Sequence, residues 1–125
     1  MIPDEPTPRT AVDPKALENL RRFGGDALLK QLVMLFRDQV RIRHGAMVAA
    51  VQARDALAAR QAAHALKSSA GQVGATGMQE LCQRIERAAM EGGDMTNIAA
   101  MVEEFDAVIP AVDAWLTDRG FPREQ

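Results

Sequence analysis

Tyrosine is absent from this 125-residue chain, and tryptophan and cysteine occur once each. With aromatics at 4% against 47% hydrophobic residues overall, the core has to be assembled from Leu, Val, Ile, Met and Ala. Side chains of that kind suit helices packed at close range, so composition predicts an all-α fold. The lone cysteine, Cys82, excludes an internal disulfide and fits a reducing compartment. A large excess of either charge is missing too. The formal net charge of -2 gives no basic field of the kind that draws a protein onto nucleic acid or anionic lipid. No apolar run approaches the roughly 20 residues needed to cross a bilayer. The start, MIPDEPTPRT, has neither the basic residues nor the apolar stretch of a signal peptide. These absences predict a cytoplasmic protein with no nucleic-acid and no membrane partner, and the length fits one domain.

What is present is regular helical punctuation. Residues 1–12 hold three of the six prolines and little apolar material, which predicts a flexible N-terminal tail. Asp13 before Pro14 is a helix start, since Asp caps free N–H groups and proline loses nothing at the first helical position. A short helix is expected from there to Gly24-Gly25. Asp26 then opens a long segment whose Leu29, Leu32, Val33, Phe36, Val40, Met47 and Val51 form one stripe at three- and four-residue steps. Asp55 is the next cap, for a helix running to about Val73 and stopped by Gly74. Thr76 with Gln79 has capping-box spacing, and Met78, Leu81, Cys82, Ile85, Ala88 and Ala89 make the stripe behind it. Gly92-Gly93-Asp94 closes that helix and opens the last, striped by Ile98, Met101, Val102, Phe105, Val108, Val112 and Leu116. Pro110 should kink or break it. The expected architecture is an antiparallel up-down-up-down four-helix bundle over residues 13–118, with the short extra N-terminal helix across one end and a C-terminal tail over 119–125. Such a bundle buries its own stripes, so a monomer is expected.

One of the two histidines sits in AAHALKSSAGQVGA, residues 62–75, among small side chains. At about 100° per residue, Ala59, Ala62, Ala63, Leu66, Ala70 and Val73 face the core, whereas His64 lies about 160° from Leu66 and points to solvent. Leu57, Arg60, Gln61, Lys67, Ser68 and Gly71 surround it. A neutral imidazole carries a nucleophilic nitrogen and needs no triad partner. If it accepted a phosphoryl group, Lys67 one turn on would offset part of the charge, and Arg60 one turn back would do so more weakly. The short side chains at 68 and 71 leave room for another protein's active site. A structural or adaptor bundle docking a partner through the same face, without phosphorylation, is the alternative reading.

His64-Ala65-Leu66-Lys67-Ser68-Ser69, followed by Gly74-Ala75, resembles the signature of histidine-containing phosphotransfer (HPt) domains of two-component phosphorelays, written H-x-L-K-G-S and then G-A. The likeness extends to Asp13–Phe36 and to Leu81-Cys82-Gln83-Arg84-Ile85-Glu86 with Gly93-Asp94. It implies that His64 is the phosphoacceptor, taking the group from an aspartyl-phosphate receiver domain of a hybrid sensor kinase and passing it to the aspartate of another receiver or response regulator. Lys67 is implied as the residue that neutralises the phosphoryl charge. The chain would bind no cofactor, with Mg2+ on the partner receiver domain, and would be a carrier without turnover of its own. Ser68 stands where the family commonly has Gly, which bears on docking.

The remaining conspicuous residues have plainer readings. His44 is followed three residues on by Met47 instead of a lysine, and is expected to be an ordinary, partly exposed histidine. Cys82 lies on a core stripe and is expected to act as a small hydrophobe. Arg37, Arg41 and Arg43 read as a solvated face. Two histidines and one cysteine on separate helices have no metal-ligand spacing. No ATP-binding motif or nucleophile elbow is present.

Overall fold

The computed structural model describes residues 8–123. Four helices and no strand are found among them: α1 (Pro14–Gln52), α2 (Ala56–Val73), α3 (Thr76–Met90) and α4 (Met95–Asp118). Helix starts follow the capping chemistry. Asp13, Asp55 and Asp94 each accept a backbone N–H of the first turn, from Lys15 at 3.0 Å, Ala58 at 3.0 Å and Thr96 at 3.0 Å. Each such cap is worth about 1 kcal/mol. Gly74 ends α2 in the left-handed region.

Each helix packs on its neighbours in sequence, α4 closes onto α1, and α2 only grazes α4. One core results, with Phe105, Leu29, Met47, Leu66, Met78, Leu81, Ile85, Ile98 and Leu116 fully buried and no buried polar or charged residue among those described.

Two local expectations are corrected and two are sharpened. Gly25, at φ 80 and ψ -179, leaves helical geometry, so α1 is two helical stretches that meet at a kink where Gly24-Gly25 is expected to end the first; the conformation is open only to glycine. Asp26 caps nothing; it accepts from Arg21 Nε at 2.7 Å across the bend. Thr76 and Gln79 form no capping box, because α3 begins one residue earlier than that pattern requires and Ala75 is the cap residue. Pro110 does not break α4, which continues to Asp118. Both Pro110 and Asp106, whose carbonyl loses its helical donor, are exposed, so water can serve that carbonyl.

The tails are less free than expected. Residues 1–7 and 124–125 lie outside the described residues, but 8–12 are tied to the start of α3. Gly77 donates to the Ala11 carbonyl at 3.0 Å. A Cβ at Gly77 would collide with the Pro8 and Arg9 carbonyls, so only glycine permits this approach. At the other end Phe121 packs on the core. Arg37, expected on a solvated face, is half-buried and bridges α1 to α4. Its Nε donates to Asp113 at 2.8 Å, and its Nη1 reaches the Pro122 carbonyl at 3.4 Å.

Candidate functional site

The inner face of α2 is the alanine-rich stripe: Ala59, Ala62, Ala63, Leu66, Ala70 and Val73 are all buried. His64 lies off this stripe and keeps 68% of its side chain exposed. Its Nδ1 stands 2.6 Å from Oε2 of Glu86 on α3. The other carboxylate oxygen, Oε1, accepts from Lys67 Nζ at 2.7 Å. One acidic side chain, itself only 13% exposed, therefore joins the exposed histidine to the lysine one turn along.

The charge state of Glu86 fixes the chemistry of the ring. Its carboxyl is held below the ordinary glutamate value, first by the hydrogen bond from Lys67 and then by that of His64, with partial burial opposing both. An ionised carboxylate only accepts, so Nδ1 is the protonated nitrogen. In the neutral ring the lone pair then sits on Nε2. A carboxylate on the far ring nitrogen orients metal-binding histidines in the same way.

Glu86 was not singled out by the sequence. A faint signal exists: Glu86 lies four residues after the buried Cys82 and next to the buried Ile85, at the edge of the α3 stripe. A carboxylate there must either turn to solvent or find a cation, and Lys67 supplies one.

Of the other expected site residues, Leu57 is 59% exposed. Arg60, Gln61 and Ser68 are exposed beside it along α2. No contact brings Arg60 to His64, unlike Lys67. Gly71 is less open than its helical position implied. It is half-buried, and the Gln79 side chain of α3 occupies the space a Cβ would need. Exposed Leu35 and Ile42, two turns apart on α1, add apolar surface on a helix packed against α2.

His44 is half-buried and packs on Phe105, with ring centroids 5.6 Å apart. The Cys82 thiol is buried, which pushes its pKa up to about 12, with the Glu86 charge adding to the rise. Among the described residues no group of three or more His, Cys, Asp or Glu could hold a metal ion. No helix there is long and apolar enough to cross a membrane.

With this geometry in place, comparison with known proteins is decisive. The profile of the Hpt domain matches residues 31–115, a span that contains His64, Lys67 and Glu86. The chain belongs to the Hpt family. Hpt proteins act in two-component phosphorelays, where they meet receiver domains of kinases and response regulators, and this chain is a histidine phosphotransfer protein of that kind. The crystal structure of histidine-containing phosphotransfer protein B (HptB) from Pseudomonas aeruginosa PAO1 superimposes with a TM-score of 0.81 at 24% identity, covering 87% of this chain and 93% of that one. At that identity the likeness carries the Hpt fold. Comparison with curated proteins gave no match.

Proposed function

We propose that His64 is the phosphoacceptor of this Hpt protein. The observation that carries the proposal is an exposed imidazole whose Nδ1 is held by an ionised Glu86. Nε2 attacks the phosphorus of an aspartyl-phosphate on a receiver domain. The P–N bond forms as the P–O bond to the aspartate breaks, and that carboxylate leaves with the electron pair. The ring becomes cationic as it gains the phosphoryl group, and the Nδ1 proton stays in its bond to Glu86, which stabilises the charge. The reverse step delivers the group to the aspartate of a second receiver. Lys67 offsets the phosphoryl charge beside the ring. The partner receiver domain supplies Mg2+, and phosphoryl transfer otherwise needs mainly positioning and charge stabilisation.

In this reading the chain is a monomeric carrier without turnover of its own. Its helices run up-down-up-down, with residues 14–24 as the extra N-terminal helix, and Leu57, Arg60, Gln61, Ser68 and Gly71 form the docking face around His64. The test is incubation with a receiver domain carrying labelled phosphate. The native chain should acquire acid-labile, base-stable label, and a His64→Gln variant none. Full labelling of His64→Gln would refute the assignment.

A further inference from the structure

A groove of about 1130 Å³ runs between α1 and α4, away from the α2 helix that carries His64. Its floor is apolar: half-buried Ile109 lies over the buried Val33, Phe36, Val40, Val112 and Leu116. Its rim is strongly cationic: Arg21, Lys30, Arg37, Arg41, Arg119 and Arg123 face it, against Asp26, Asp38 and Asp113. Six cations less three anions leave +3 here, on a chain whose net charge is -2, so the rest of the molecule carries -5.

Ion pairing meets Arg21, through Asp26 and Glu18, and Arg41, through Asp38, but leaves an excess elsewhere on the rim. Asp113 is shared, accepting Arg37 at 2.8 Å and Arg123 at 3.4 Å, so one anion serves two cations. Among the described residues Lys30 has no carboxylate partner. Among the described residues the Arg119 side chain meets only the Trp115 ring, at 5.8 Å from its centroid. Met34, on the groove wall, is 44% exposed. The groove is walled by two long helices, α1 and α4, a form that receives a third helix.

We propose that the α1–α4 groove is a second docking surface, which takes an acidic amphipathic helix of a partner protein. Apolar anchors at i, i+3/i+4 and i+7 pack over the floor against Met34 and Ile109, while Glu and Asp on the flanks meet Lys30, Arg119 and Arg123. The site is independent of the His64 face, so a partner could tether the carrier while a receiver domain uses the histidine. Such tethering raises the effective concentration of one receiver over others without new contacts at the phosphoryl site.

The probe is a labelled synthetic helix of about four turns, with Leu along one face and Glu elsewhere, titrated into the full chain by fluorescence anisotropy. Saturable binding is expected that weakens with salt. It should fall at least ~10-fold in Met34→Glu and in the Lys30→Glu/Arg119→Glu double variant, while His64→Gln binds normally. A scrambled peptide of identical composition should bind at least ~10-fold more weakly. Amide resonance shifts should map to residues 30–45 and 109–123. Equal binding of the scrambled peptide, shifts centred on α2, or self-association through this groove abolished by Met34→Glu would overturn the proposal. Circular dichroism confirms the fold of each variant. Phosphoryl acceptance by Met34→Glu is read separately, so the fate of the groove is distinguishable from that of His64.

Discussion

Replacing Glu86 by Gln should slow phosphoryl transfer to His64 by roughly ten- to forty-fold while leaving the helical fold in place. Glu86 offers two anionic acceptors, one to His64 Nδ1 at 2.6 Å and one to Lys67 Nζ at 2.7 Å. Glutamine of the same shape has one acceptor oxygen and one donor nitrogen, so it can serve only one of the two cationic or proton-bearing partners. Either the ring loses its anchor or the lysine does. A hydrogen bond to a charged group is worth about 1.5–3 kcal/mol. The His64 end is largely exposed, so solvent screening puts the loss at the lower half of that range. At about 1.4 kcal/mol per tenfold in rate, the expected slowing follows. The assay is rapid-quench, single-turnover transfer from a labelled receiver domain, beside thermal melts by circular dichroism. Glu86→Asp, which keeps the charge on a shorter arm, should recover part of the rate. Transfer by Glu86→Gln within twofold of native would refute the reasoning, because the carboxylate would then do nothing for the ring. There is also a pH signature. The folded pKa of Glu86 is depressed, so its contribution to stability is present above the unfolded value of about 4.3 and is lost as pH falls through the folded pKa. Glu86→Gln should flatten that part of the acid-unfolding profile.

Lys67→Ala should melt within about 1 kcal/mol of native, since the lysine lies off the core, yet shorten the lifetime of the phosphorylated form at least several-fold; an unchanged lifetime would assign Lys67 to solubility alone. Cys82, fully buried with its thiol pushed up to about 12, should resist iodoacetamide at pH 8 in the native protein and react on unfolding. Mass spectrometry reads this, and rapid native alkylation would contradict it. Gly77→Ala drives a Cβ into the Pro8 and Arg9 carbonyls and should cost about 1–3 kcal/mol by denaturant melt, with faster hydrogen exchange at the residue-77 amide that donates to Ala11. Equal stability would show that residues 8–12 shift aside freely.

How far the sequence carried this result depends on the range of each interaction. Core stripes were legible because apolar periodicity is local: every residue of the α2 stripe, from Ala59 to Val73, is buried as its helical angle required. The Asp caps were legible for the same reason, since each cap and its N–H lie two or three residues apart. The capping box at Thr76 failed on a one-residue difference that local pattern does not resolve, and the side chain of Gln79 went instead to cover Gly71. Arg37–Asp113 and His64–Glu86 span 76 and 22 residues. Each depends on the register between two helices, which no single-helix pattern encodes. The histidine and the lysine of the site could therefore be read from one helix, while the glutamate that links them could not.

The three-way contact at His64 has an electrical consequence. A neutral imidazole, a carboxylate and an ammonium sum to zero, so the resting site is a multipole with little far field. Arrival of a phosphoryl group on the ring adds one net negative charge to a patch that carried none. An approaching protein would meet a different potential before any contact forms, and could tell a loaded carrier from an empty one at a distance of about a Debye length, ~8 Å in physiological salt. Glu86, by cancelling Lys67 in the empty state, keeps that signal at zero until there is cargo to announce.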